Sequence, residues 1–286
     1  NGVLIVADTG PEVVRSPFAT FAREMLSGKT AFVTGGGTGI GFGIARTLGL
    51  LGARVVLVSR KEDVLVEAVS RLSGEGISAL YQVADVRDFA AVQGAVDRTV
   101  EASGSLDILV NCAAGLFHAP AEELSENGWK VLIDINLNGA WACCKAAFEP
   151  LSKAADGGRI VNIVSPFAWL SWPGSVNAAA AKAGLISMAH TLAVEWGRYN
   201  IHVNNIAPGP IGGTGGINRM ADDPQRFAEE LERTALGRVG EIADIAEAVA
   251  FLSSPAGSFI SGADLLVDGG RQYNVVPSKV RNLRAL

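Results

Sequence analysis

Sulfur, imidazole and aromatic rings are scarce in this chain. Its three cysteines, Cys112, Cys143 and Cys144, are odd in number, two are adjacent, and none is spaced as metal ligands are. That excludes a disulfide scaffold and fits a reducing, intracellular compartment. His118, His190 and His202 have no serine, aspartate or metal-ligand partner at a recognisable spacing, so neither a metal site nor a catalytic histidine is expected. Positive charge is short as well. With a net charge of −5 and no basic block, a nucleic-acid partner is excluded. No apolar run approaches the roughly 20 residues that cross a bilayer, so membrane insertion is not expected. The opening stretch pairs a short apolar run, "GVLIVA", with Asp8 and Glu12, unlike an Arg-rich, acid-poor transit peptide. Arg284-Ala285-Leu286 is not the S-K-L address, and no clear targeting signal is expected.

Small and β-branched residues are what the chain has in quantity. Hydrophobic residues make up 49% of its 286 positions and glycine contributes 34, a composition suited to buried parallel strands packed closely by helices. Seven short runs read as strands: "TAFVTG", "RVVLVSR", "SALYQVADV", "LDILVNCAAG", "GRIVNIVS", "IHVNNIAPG" and "ADLLVDGG". Between them, helical spacing marks "GIARTLGLLGA", "AVQGAVDRTVEAS", "WKVLIDINLNGAWACCKAAFEPL", "AAAAKAGLISMAHTLAVEWGRY" and "EIADIAEAVAFLSS". This alternation predicts a Rossmann-type α/β fold, a doubly wound parallel sheet of about seven strands with helices on both faces. No linker or repeat divides the chain. An N-terminal extension over 1–28 and a single nucleotide-binding domain over 29–286 are expected, with the weakly periodic stretch at about 210–240 forming a lid.

Directly after the first strand comes Thr34-Gly35-Gly36-Gly37-Thr38-Gly39-Ile40-Gly41, then a helix. Glycines let the backbone approach a pyrophosphate whose charge the helix N-terminus meets. Glycine also serves ordinary turns, and the position between strand and helix is what gives the loop weight. The second strand ends at Ser59-Arg60-Lys61. No acid stands there to accept a ribose 2′-hydroxyl, and two cations can pair with a 2′-phosphate, which favours NADPH over NADH.

Taken in order, "TGGGTGIG", "ADV" with Asp85, "NCAAG" at 111–115, "DINLNG" with Asn136, "NIVS" with Ser165, then Lys182 and "APGPI" at 207–211 resemble the short-chain dehydrogenase/reductase family from about Lys29 to Gly270. Within it, "DILVNCAAG", "LAVEWG", "PGPIGGTGG" and "VDGG" resemble 2,4-dienoyl-CoA reductases, particularly the peroxisomal type. The resemblance implies that Gly35, Thr38, Gly39 and Ile40 hold the pyrophosphate, that Arg60, flanked by Ser59 and Lys61, holds the 2′-phosphate, and that Asp85 and Val86 hold the adenine. Asn111 and Ala113 would also lie on the cofactor. Pro208, Gly209 and Ile211, with Thr214, would shape the nicotinamide pocket, and Lys182 would hold the nicotinamide ribose. Lys182, Asn136 and Ser165 would be catalytic. Arg87, Phe117, Ser125 and Arg219 would contact acyl-CoA. A homotetramer built on the two long helical segments is implied too, in a peroxisome-like organelle or mitochondrion.

The chain departs from that pattern where an acid is usually found. Ala178 stands one helical turn before Lys182, at the family's usual tyrosine. Phe167 lies about where the mitochondrial type has its own tyrosine, Leu116 replaces a common asparagine, and Asn136 replaces the aspartate of the peroxisomal type. Ketone reduction makes an alkoxide that needs a poised acid. Hydride addition to a conjugated dienoyl thioester instead spreads charge onto the thioester oxygen, which needs hydrogen bonds more than a proton. Three readings stay open: NADPH-dependent dienoyl-CoA reduction, reduction of another acyl thioester (2-enoyl or, less compatibly with Ala178, 3-oxoacyl), and a catalytically silent nucleotide-binding protein.

Overall fold

A computed structural model of the chain describes residues 20–274, apart from the side chain of Arg219. The expected extension lies outside the described residues up to position 19. Its last turns pack on the body, where Leu26 is buried and its amide donates to the Leu51 carbonyl at 2.8 Å.

Seven parallel strands form one sheet: β1 (Thr30–Thr34), β2 (Arg54–Ser59), β3 (Ala79–Val83), β4 (Ile108–Asn111), β5 (Gly158–Ile163), β6 (Ile201–Pro208) and β7 (Asp264–Val267), in the order β3-β2-β1-β4-β5-β6-β7. Side chains alternate between faces along each strand, and the core divides accordingly. Ala31, Val33, Val55, Leu57, Val110 and Val161 point to the face covered by α1 (Gly39–Leu50), α2 (Glu62–Gly74) and α9 (Ile242–Ser253). Phe32, Val56, Val58, Leu109, Ile160 and Val203 point to the face covered by α3 (Phe89–Ser103), α5 (Gly139–Ser152) and α6 (Val176–Trp196). Strand order reverses between β1 and β4, leaving a crevice at their C-terminal ends, where open α/β sheets bind ligands.

The helix map differs from the sequence expectation in three places. Periodicity did not single out α2, because its buried stripe is only Leu65, Ala68 and Leu72 in a charged segment. The segment 129–151 is not one helix: α4 (Glu126–Ile133) passes through a π-helical turn, Asp134–Asn138, into α5. The stretch 210–240 carries two short helices, α7 (Gly215–Ala221) and α8 (Pro224–Arg233). Among the described residues no helix is long and apolar enough to cross a membrane.

Candidate functional site

At the switch point, Thr34 ties two strands together. Its hydroxyl oxygen accepts from the amides of Cys112 and Ala113, each at 3.0 Å, and its hydroxyl donates to the Val110 carbonyl at 3.3 Å. The loop after β1 therefore lies against the loop after β4. Gly35 takes φ +66° there with the Ala113 backbone 3.1 Å from any added Cβ, and a Cβ on Gly41 would come within 2.3 Å of the Gly35 carbonyl. Only glycine fits either position. The N-cap of α1 is Thr38, whose side chain makes no cap hydrogen bond, and the first turn holds no acid. Side chains of Asp88, Ser125 and Asp223 cap α3, α4 and α8, while α2 and α6, like α1, have no side-chain cap. An uncapped helix N-terminus presents N–H groups and positive dipole to an anion.

A cleft of about 770 Å³ runs from this loop across the strand ends. Gly35, Thr38, Gly39, Ile40 and Ala113 line its phosphate end, and Ser59, Arg60, Lys61, Asp85 and Val86 line the end beyond β2 and β3. Arg60 is 60% exposed and its Nη1 lies 3.8 Å from Asp85. Asp85 is committed to a second cation: Arg87 donates to it through Nε at 3.0 Å and Nη2 at 2.6 Å. The Arg87 hydrogen bonds hold the Asp85 carboxyl below its ordinary range.

At the opposite end the cleft is lined by Asn136, Ser165, Lys182, Pro208 and Thr214. Lys182 projects from α6, is 7% exposed, and donates from Nζ to the Ile163 carbonyl at 2.8 Å. Burial brings its pKa down to about 8. Ala178, four residues earlier on the same buried face, lines the cleft too. Asn136 sits in the π turn, which turns its side chain inward. Its Nδ2 donates to the carbonyls of Gly115 and Leu132, each at 3.0 Å, and its Oδ1 accepts from the Gly115 amide at 3.4 Å. Both amide protons are thus spent on backbone, leaving one lone pair of Oδ1 for a water or ligand. Ser165 Oγ accepts from the Phe167 amide at 3.3 Å and still faces the cleft. Thr214 donates its hydroxyl to Ile211 at 2.7 Å.

Other expected site residues stand apart from the lining. Gly209 and Ile211 border a neighbouring cavity of about 280 Å³. Asn111 lies beneath the floor in a row of amides across the sheet: its Nδ2 donates to Asn162 at 2.9 Å, Asn162 to Asn205 at 3.0 Å, and Asn205 to Asp264 at 2.7 Å. Ser125 caps α4 by accepting from the Gly128 amide at 3.0 Å. Phe117 is exposed, and the Arg219 side chain lies outside the described residues. Two histidines set aside in the sequence have partners after all: His118 with Ser175 at 2.8 Å, and His190 with Asp264 at 3.1 Å.

The family model described as enoyl-(acyl carrier protein) reductase matches residues 35–272. A probable 2,4-dienoyl-CoA reductase of Bacillus subtilis, (2E)-enoyl-CoA-producing, is 40% identical over 251 residues, covering 87% of this chain and 98% of that one. A peroxisomal 2,4-dienoyl-CoA reductase of Arabidopsis thaliana, (3E)-enoyl-CoA-producing, is 40% identical over 259 residues, 87% of this chain and 86% of the relative. A crystal structure of a short chain dehydrogenase from Bacillus anthracis superposes with TM-score 0.77 at 38% identity, covering 85% of this chain and 96% of that one. The chain belongs to the short-chain dehydrogenase/reductase family. It is an oxidoreductase of that family, and a nicotinamide cofactor goes with the fold.

For a short-chain dehydrogenase/reductase the cleft is unusual in what it lacks. Among the described residues neither tyrosine nor histidine lines it, and Phe167, Leu116 and Ala178 occupy its wall. Cys112, Val64, and the glycines Gly213 and Gly215 on either side of the expected Thr214 also line it. Cys112 belongs to the "NCAAG" motif and Gly213 to "PGPIGGTGG". Burial pushes the Cys112 thiol up to about 11, which keeps it protonated and unreactive at neutral pH.

Proposed function

We propose that the protein reduces 2,4-dienoyl-CoA with NADPH to 3-enoyl-CoA, in the breakdown of unsaturated fatty acids. The observation that carries this reading is the pairing of Ala178 and Lys182 on one buried helical face of the cleft, with no tyrosine beside them. The uncapped α1 N-terminus and its glycine cradle fit a pyrophosphate, and Arg60 with Lys61 fits a 2′-phosphate. When bound, the reduced nicotinamide supplies a hydride.

Hydride arriving at the far carbon of the diene displaces an electron pair that spreads over the remaining carbons and the thioester oxygen. Lys182 and Ser165 steady that oxygen and its neighbourhood with hydrogen bonds, and Asn136 holds the Gly115 loop and offers its free lone pair to a water. Proton uptake then occurs at carbon. Delivered to C2 it leaves a 3-enoyl product, and delivered to C4 a 2-enoyl product. In sum, dienoyl-CoA, NADPH and a proton give enoyl-CoA and NADP⁺. No step makes an alcohol, so the absent phenol is not missed.

On the same reading α7 and α8 close over the cleft as its lid within one reductase domain, and Phe117 with Leu116 provides apolar wall for the acyl chain. Arg87, Ser125 and Arg219 guide the CoA portion. Trp129 on α4, Trp141 on α5 and Val194 on α6 are exposed apolar residues, which supports a homotetramer assembled on those helices. The naming of a relative as peroxisomal and the three free thiols support a reducing organelle, a peroxisome or mitochondrion.

A second reading, reduction of 2-enoyl thioesters, is favoured by the enoyl-(acyl carrier protein) reductase description of the matching family and needs no phenol either. Stopped-flow oxidation of NADPH with 2,4-dienoyl-CoA, 2-enoyl-CoA and 3-oxoacyl-CoA decides between them. Turnover is expected with the dienoyl substrate, with product double-bond position read by NMR. Turnover confined to 2-enoyl-CoA or 3-oxoacyl-CoA, or none with any, overturns the reading.

A further inference from the structure

The residue that α8 buries is a glutamate, Glu230. Its partner is Arg271, in the single helical turn that follows β7, and the two side chains are 7% and 10% exposed. The guanidinium engages the carboxylate side-on, through Nε and through Nη2 at 3.0 Å. The same guanidinium carbon lies 5.3 Å from the ring centre of Trp172, in the segment between β5 and α6. Trp172 in turn stands 5.5 Å from Phe167 with the rings inclined by 30°, and Phe167 lines the cleft and donates its amide to Ser165. One buried side chain therefore links α8 to the cleft wall through two contacts of different kind.

The segment bearing Arg271 is itself anchored. Asp268 accepts from the Gly270 amide at 2.9 Å and the Gln272 amide at 2.8 Å, and Asn274 Nδ2 donates to the carbonyls of Glu232 and Arg233, each at 3.1 Å. A buried ion pair is a poor source of net stability and a good source of register. Arginine suits this one because its planar fork can bind a carboxylate through two nitrogens while its face lies on an aromatic ring, whereas the compact ammonium of lysine cannot do both from one position.

We propose that Arg271 is a positioning residue for the acyl pocket: through Glu230 and Trp172 it makes α8 and the β5–α6 segment close and open as one body, holding Phe167 at the wall. The substrate part of this inference rests on the acyl-thioester reading above; the mechanical part does not. Substrate contact stays with other residues, and Arg271 acts through Trp172 and Phe167.

Arg271→Lys, which keeps the charge, and Glu230→Gln, which keeps the shape, test it in the full-length protein. Hydrogen exchange of segments 166–173 and 224–233 is expected to accelerate together, by about tenfold or more, while 34–41 is unchanged. The KM for dienoyl-CoA is expected to rise about tenfold, with the NADPH Kd within about twofold of the unmutated value. Arg271→Ala is expected to show the larger effect of the same kind. Unchanged exchange at 166–173 when α8 loosens, or equal loosening of 34–41 with a weakened NADPH Kd, overturns the clamp and leaves ordinary structural support. Joint loosening with an unchanged KM overturns its role toward the acyl pocket. An unmutated protein that turns over no acyl thioester overturns the functional reading, and the exchange comparison still decides the clamp.

Discussion

The Lys182 ammonium donates to the carbonyl of Ile163 at 2.8 Å, across the boundary between α6 and the last residue of β5. That contact fixes a buried cation at the reacting end of the cleft. Its pKa of about 8 makes its charge sensitive to the pH at which the protein is assayed.

Catalysis should report that sensitivity. Lys182→Ala is expected to lower kcat on dienoyl-CoA by about 10²-fold, within the range for losing acid–base assistance. In the unmutated protein the ammonium is charged below about pH 8 and neutral above it, so kcat is expected to fall as pH rises through about 8. A pH–rate profile that is flat there, or identical in the Lys182→Ala variant, refutes the assignment.

Stability should move the other way. Lys182 titrates at 10.5 unfolded and at about 8 folded, so between those values the unfolded chain binds the extra proton and stability rises with pH. Well below pH 8 the protonated form of this buried group opposes folding by about 3 kcal/mol relative to the neutral amine. Lys182→Met is accordingly expected to raise the Tm of the ligand-free protein by a few degrees at pH 7, and the gain should shrink toward pH 10. Thermal unfolding across that range measures it; a variant less stable at pH 7 contradicts the sign.

Cofactor choice rests on Arg60, exposed at the cleft and close to Asp85. NADPH is expected to bind at least about tenfold more tightly than NADH, roughly 1.4 kcal/mol. Arg60→Ala should erase most of that difference. Equal dissociation constants for both cofactors in the unmutated protein would remove the basis for preferring NADPH.

Restoring a phenol should not help. Ala178→Tyr places a ring into the wall that Ala178, Phe167 and Leu116 now leave open, and crowding there is expected to leave dienoyl turnover unchanged or reduced. A large gain in steady-state turnover would mean that the chain is an ordinary ketone-type reductase that has lost its acid.

The amide row beneath the floor carries the last prediction. Asn162 is fully buried and bonded to Asn111 on one side and Asn205 on the other. Asn162→Ala removes both bonds, leaves the Asn205 Oδ1 acceptor without its donor in a dry interior while Asn111 keeps only Cys144 Sγ, and is expected to cost about 3 kcal/mol in urea unfolding. A loss below about 1 kcal/mol would show that the row contributes little.

Strands, the glycine loop and the run from Ser59 to Lys61 were legible because their signals are local: alternation, turn chemistry and charge within a few residues. The helix α2 escaped notice because three apolar residues among charges make a weak stripe. The π turn at Asn136 escaped because its extra residue disturbs helical periodicity too briefly to register. The bidentate pairing of Arg87 with Asp85, two residues away, has no helical or strand period to announce it. The place of Cys112 in the cleft wall carries no signal in "NCAAG", and burial is what makes its thiol inert.

By itself the amino-acid sequence determined the doubly wound sheet, the side on which the crevice opens and the residue types at each end of it, because hydrophobic period and glycine placement act over short spans. Tertiary structure alone decided which of those residues meet. The in-register row from Asn111 to Asp264 exists only once four parallel strands are aligned. Lys182 acquires its lowered pKa only by being carried into a dry interior. Glu230 and Arg271, 41 residues apart, find each other and Trp172 only when β7 brings the chain back beside α8. Such pairs carry no local signature, since burial and distance are properties of the packed chain.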